Sequence, residues 1–108
     1  MAKRRSIEEE LYRRVSINGL ILFSIYSLQG KCSFERLIKE CFTLFPKSFS
    51  LLKLPEWPDS RKLDRPLRTL RKRKLISGNP KTIFSLTKLG RKTAEEVAKT
   101  FRQRRLKL

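Results

Sequence analysis

Residues 61–74 carry Arg61, Lys62, Arg65, Arg68, Arg71, Lys72, Arg73 and Lys74 against a single acid, Asp64. Side chains of these two types do one kind of chemistry well: they bind oxyanions. Lysine acts as a compact point charge, arginine as a planar fork that pairs with two oxygens at once. The leucines interleaved with them fall at helical spacing. Projected at about 100° per residue, Leu63, Leu67 and Leu70 share one face, and Arg61, Arg65, Arg68 and Lys72 line the opposite one. Lys62, Thr69 and Arg73 make a second stripe beside it, and Arg71 adds a further donor next to Lys72. Such a helix packs on one side and offers a row of fixed positive charge on the other.

Other chemistries find little support. The chain has no His, which removes the commonest general base and the commonest zinc ligand. Cys32 and Cys41 are its only cysteines, separated by eight residues and without a second pair, so no metal site is expected, and Cys41, on the apolar face of a helix, reads as a buried free thiol. The acids read as helix caps or as partners of bases four residues away, not as a catalytic set; no enzyme activity and no cofactor are expected. Asp59 and Asp64 are caps in this reading. Across 108 residues, Lys and Arg number 27 against 10 Asp and Glu, a formal charge of +17. That surplus opposes compaction through self-repulsion and makes most sense where a polyanion relieves it.

The elements that would hold the basic face follow from periodicity. Ser6 and Glu9 make a capping box for a helix over residues 7–28, with Asn18-Gly19 as a candidate break. Gly30 ends that helix and Ser33 caps the next. The next has the cleanest pattern in the chain: Phe34, Leu37, Ile38, Cys41, Phe42 and Phe45, a core stripe stopped by Pro46. Residues 47–59 are irregular but apolar. Trp57, between Pro55 and Pro58, reads as an anchor for the following helix, with a base-stacking platform as the alternative. Pro66 leaves two readings of the basic helix: it starts at Ser60 and tolerates the proline, or Asp64 caps it and Pro66 lies in its first turn. Residues 75–77 and 82–86 read as two short strands around the turn Gly78-Asn79-Pro80-Lys81. Thr87 opens a last helix whose inner face is Leu89, Ala94, Val97, Ala98 and Phe101. Arg91–Glu95, Lys92–Glu96 and Glu95–Lys99 stand at i,i+4 spacing. Residues 1–5 and 103–108 are expected to be flexible basic tails of this single domain.

This order of helix, helix, basic helix, two-stranded hairpin and helix resembles the winged helix-turn-helix family. The residues that carry the likeness are Leu67-x-x-Leu70 running into Leu75-Ile76, and Leu86-Thr87-Lys88-Leu89-Gly90, which is similar to the Leu-Thr-x-x-Gly junction between wing and final helix in small bacterial and archaeal regulators. Two departures stand out. The connection over residues 45–60 is far longer than a simple helix-turn-helix turn, and Arg73-Lys74 replace the usual glycine between recognition helix and wing.

The resemblance implies a mainly α fold with a small β-hairpin, about four helices plus a two-stranded wing. It implies double-stranded DNA as partner, with residues 60–73 as recognition helix in a major groove and residues 75–86 as wing. Arg61, Lys62, Arg65, Arg68, Thr69, Arg71, Lys72 and Arg73 would contact DNA from the helix, and Asn79, Lys81 and Thr82 from the wing. Transcriptional regulation or a small chromatin-type role follows, in the cytoplasm and on the nucleoid. The alternatives are an RNA- or ribosome-binding winged helix and a protein–protein assembly module. The family's habit of pairing through terminal helices implies a homodimer through the first and last helices, against an intramolecular core for the same faces. The longest apolar run, Gly19 to Phe23, is too short to span a bilayer, and the N-terminus lacks the apolar region and cleavage site of a signal peptide.

Overall fold

The Ser16 hydroxyl accepts a hydrogen bond from the Gly19 N–H at 3.2 Å and so starts helix α1 (Ile17–Ser27). The computed structural model describes Tyr12 and residues 15–106, with side chains through Arg102; the capping box at Ser6 and the first residues of the expected 7–28 helix lie outside the described residues. The helix break therefore falls before Ser16 rather than at Asn18-Gly19. A serine oxygen reaches the orphan N–H three residues on, which leaves Gly19 inside the helix. α1 is apolar on several sides and accordingly central: Leu20, Ile21, Leu22 and Ile25 are buried.

α1 ends in a left-handed turn taken first by Gln29 (φ 67°) and then by Gly30 (φ 86°). The Gly30 N–H returns to the Ile25 carbonyl at 2.9 Å and the Gln29 N–H to Tyr26 at 3.0 Å, which satisfies the helix's last acceptors. A three-residue strand follows, β1 (Lys31–Ser33), which the sequence reading does not contain. Ser33 then caps α2 (Phe34–Leu44), accepting from the Arg36 N–H at 3.3 Å. Leu37, Cys41, Leu44 and Phe45 are buried from this stretch, Phe34 and Ile38 partly so, and Phe42 stays at the edge. The one acid on the buried side, Glu40, accepts a hydrogen bond from the Ser27 hydroxyl of α1. Pro46 both stops α2 and opens a single turn, α3 (Pro46–Phe49), because its fixed φ suits the first helical position.

The basic helix is α4 (Arg61–Lys72), followed by β2 (Ile76–Ser77), β3 (Ile83–Leu86) and α5 (Lys88–Leu106). Residues 103–106 are thus helical rather than a tail. The two expected strands are joined by a third. β3 lies in the middle of an antiparallel sheet of order β1-β3-β2, with Cys32 opposite Phe84, and Ile76 opposite Leu86. The hairpin turn needs Gly78, whose φ is 100° and where a Cβ would stand 2.0 Å from the Ile83 carbonyl oxygen.

The core is an aromatic knot around Phe45, whose ring lies 5.0 Å from Tyr12, 6.0 Å from Phe23 and 6.0 Å from Phe101. Phe23 meets Phe101 edge-on at 5.1 Å, so the apolar faces of α1 and α5 cover each other within one chain. Leu89, expected on the inner face of α5, is instead 55% exposed, while Ala94 and Phe101 are buried. Among the described residues the three i,i+4 spacings on α5 close to no ion pair. No described helix is long and apolar enough to cross a membrane.

Candidate nucleic-acid interface

α4 is fixed at both ends and along one side, and its other side is open. At its start, Asp59 rather than Ser60 supplies the cap. The Asp59 Oδ1 accepts from the Arg61 N–H at 3.1 Å and from Arg61 Nε at 3.2 Å. The hydrogen bond from the Arg61 side chain, helped by its backbone N–H and by the charges of Arg61 and Lys62, holds the Asp59 carboxyl below the usual aspartate range. The first turn is tight, with the Lys62 N–H on the Asp59 carbonyl and the Leu63 N–H on that of Ser60, each at 3.1 Å. Of the two readings of Pro66, the helix that starts before it is the one observed. A proline inside a helix costs about 3 kcal/mol. Leu63, Leu67 and Leu70 are all buried, and at about 1.5–3 kcal/mol each their burial outweighs it.

At its end, Lys74 takes the left-handed conformation (φ 59°), which glycine adopts more readily. The Leu75 N–H returns to the Leu70 carbonyl at 2.9 Å and the Lys74 N–H to Arg71 at 3.0 Å, the paired bonds of a left-handed helix stop. The Thr87 hydroxyl then ties this corner to α5. It donates to the Lys74 carbonyl at 2.7 Å and accepts from the Gly90 N–H at 3.1 Å, so one side chain caps α5 and holds the end of α4. Gly90 packs directly on that corner: a Cβ there would lie 1.9 Å from the Leu75 oxygen.

Arg65, Arg68, Arg71, Lys72 and Arg73 are exposed, and among the described residues they make no ion pair and no side-chain hydrogen bond. Arg61 is exposed too, partly engaged by Asp59. Two of the expected contact residues are less exposed. Lys62 is half-buried and its Nζ donates to the Ser50 carbonyl at 2.8 Å, and Thr69 is half-buried between the two faces.

The hairpin tip divides in the same way. The Asn79 Oδ1 accepts from the Lys81 N–H at 2.8 Å, and the Thr82 hydroxyl accepts from the Asn79 N–H at 3.2 Å, so Asn79 and Thr82 brace the turn. Lys81 projects from it, exposed. Pro80, which the sequence reading leaves as a turn residue, closes a depression of about 220 Å³ against α4, lined by Asp64, Leu67, Arg68, Arg71 and Phe84. Two guanidinium groups beside an apolar floor therefore lie between helix and hairpin.

Comparison with models of protein families, with curated proteins and with solved structures finds no match.

The chemistry of the surface rests on its own residues. Among the described residues no cluster of Cys, Asp or Glu is arranged to hold a metal ion. Both cysteines are buried. Desolvation raises the Cys32 thiol to about 11, against a smaller pull from Arg36, and the Cys41 thiol to about 12, against a hydrogen bond with Ser24. Neither is ionised near neutral pH. The outward face of α4 offers a row of cations that are unpaired among the described residues. A single exposed ion pair is worth about 1 kcal/mol or less, so this surface binds usefully only a ligand that meets several cations at once.

Proposed function

We propose that the chain is a winged helix-turn-helix protein that binds double-stranded DNA through α4 and the β2–β3 hairpin, as a transcriptional regulator or small chromatin-type protein. Three features support the fold reading. The elements run α1, β1, α2, the single turn α3, α4, β2, β3, α5; the sheet has order β1-β3-β2; and Leu86-Thr87-x-x-Gly90 forms the tight corner between hairpin and last helix. The observation that carries the function is the outward face of α4. Arg65, Arg68, Arg71, Lys72 and Arg73 stand unpaired on a helix whose ends and inner face are locked. In the DNA complex this face lies along phosphates, with an arginine able to pair bidentately with guanine in the major groove. Lys81 at the wing tip meets the neighbouring backbone.

Fluorescence anisotropy with a labelled duplex over a salt series tests this reading. If six to ten phosphates are contacted, affinity falls about 10³- to 10⁵-fold between 50 and 200 mM salt. Arg68→Ala/Lys72→Ala flattens that slope by about two contacts' worth. A slope that the double variant leaves unchanged removes α4 from the interface. Competition by structured RNA stronger than by duplex would turn the reading to an RNA-binding winged helix.

A further inference from the structure

Between α3 and α4 the chain exposes Leu52 (92%), Trp57 (60%) and Leu54 (50%). Scattered exposed apolar residues are ordinary, but three large ones within six residues form a patch. The loop that carries them is held shut. The Leu51 N–H donates to the Trp57 carbonyl at 2.9 Å, the Trp57 N–H to Leu54 at 2.9 Å, and the Asp59 N–H to Phe49 at 2.7 Å. Ser50 and Pro58 form an antiparallel bridge, Phe49 is buried in the core, and Lys62 reaches back from α4 to the Ser50 carbonyl. The sequence reading that made Trp57 an anchor is reversed here: Phe49 anchors the loop and Trp57 is presented by it. The prolines and the cross-loop bonds stiffen the display, which lowers the entropy lost when it binds.

We propose that this loop is an apolar prong whose Trp57 ring stacks on an unpaired base of the bound nucleic acid, at a single-stranded end, a junction or an opened step. The inference rests on the nucleic-acid reading of α4 and extends it. Two observations select this occupant. The prong is joined directly to the start of the basic helix, since Trp57 precedes Asp59, the cap of α4, and the loop is stapled by Lys62 of α4 itself. The charge around it is also right for a polyanion. Over residues 47–62, Lys47, Lys53, Arg61 and Lys62 outnumber Glu56 and Asp59, and Lys47, Lys53 and Arg61 are exposed. A tryptophan face accepts any base, and aliphatic side chains such as Leu52 are the kind that wedge between base steps.

Trp57 is the only tryptophan in the chain, so its emission reports on the prong alone. The full chain is titrated with a blunt duplex and with the same duplex bearing a short single-stranded overhang, reading Trp57 emission and the anisotropy of a labelled strand together. The expected result is strong quenching by the overhang substrate. Trp57→Ala should weaken its binding about tenfold, Trp57→Phe should restore most of it, and the blunt duplex should be affected less. Because the side chain is exposed, both variants keep the wild-type far-UV circular dichroism. Salt-dependent binding that leaves Trp57 emission unchanged, with Trp57→Ala binding the overhang as wild type does, overturns the prong and leaves the α4 reading standing. Absence of binding to either substrate overturns both. Emission that changes with protein concentration alone makes the patch a contact between copies and overturns the proposal.

Discussion

Lys74 shows at the scale of one residue how much of this surface depends on backbone geometry. Its φ of 59° completes the stop at the end of α4, and a side chain in that conformation costs about 1–2 kcal/mol that glycine avoids. Glycine loses about 0.5–1 kcal/mol more than other residues on ordering, so Lys74→Gly should stabilise the fold by up to about 1.5 kcal/mol in urea unfolding; a destabilised variant would mean the lysine side chain contributes contacts of its own. Asp59 is the other residue on which α4 hinges. The Arg61 hydrogen bond keeps its carboxyl below the ordinary value, so its pKa is lower folded than unfolded. Its ionised form therefore stabilises the fold above about pH 4, the unfolded aspartate value, and that contribution disappears as pH falls through the folded-state value. Asp59→Asn should flatten the acid side of the stability profile; an acid limb identical to wild type would show that the cap is not titrating there. The sequence offers Asp59 as one of several caps and does not mark Lys74 as a left-handed residue. Lys74 looks like one more base in a basic run, and whether Asp59, Ser60 or Asp64 caps α4 depends on which one the loop brings to the orphan N–H groups.

Among the elements, those whose pattern is local were legible and those made by distant pairing were not. The stripe of α2, the leucine face of α4 and the turn Gly78-Asn79-Pro80-Lys81 all carry their information within a dozen residues, and each is found where periodicity and turn chemistry put it. β1 is three residues, Lys-Cys-Ser, and exists only because Cys32 meets Phe84 across half the chain; nothing local marks it. The same limit explains Leu89 and Trp57, two apolar residues that composition sends inward and tertiary placement leaves exposed. For the site, the outward order of Arg65, Arg68 and Lys72 was legible from a helical projection, whereas the internal use of Lys62, Asn79 and Thr82 requires partners that sequence does not name. The corner of Thr87 and Gly90 joins the two groups, since its residues are local but its partner, Leu75, is not. Adding a Cβ at Gly90 drives it into the Leu75 carbonyl, a backbone atom with little room to move. Gly90→Ala should therefore cost about 3 kcal/mol or more and loosen the seam between hairpin and α5. Denaturant unfolding with an unchanged m-value but a lower midpoint is the expected signature; a midpoint within error of wild type would contradict the close packing at this corner.

At the scale of the whole molecule, +17 charges are carried by a body with a radius of gyration of 13.2 Å. Most of the outward cations of α4 have no counter-charge among the described residues, so the free protein holds them apart against repulsion that a bound polyanion would remove. Stability and binding should then respond to salt in opposite directions. Raising ionic strength from about 10 to 150 mM shortens the Debye length from about 30 to 8 Å, which should raise the Tm of the free chain and, on the proposed reading, weaken binding to duplex DNA. Arg68→Ala/Lys72→Ala separates the two effects within one molecule. Among the described residues neither side chain makes a hydrogen bond or ion pair, so without DNA the variant should be at least as stable as wild type, with the difference fading as salt rises. Duplex added at low salt and at about 100 times its Kd stabilises by about 2.7 kcal/mol, and at that same duplex concentration the variant should gain clearly less. Differential scanning fluorimetry at two salt concentrations, with and without duplex, reads all four cases. A variant that is less stable alone yet shifts as far with duplex would mean that these cations serve the fold and not a polyanion; the opposite pair of results makes the instability of the basic face the physical counterpart of its binding.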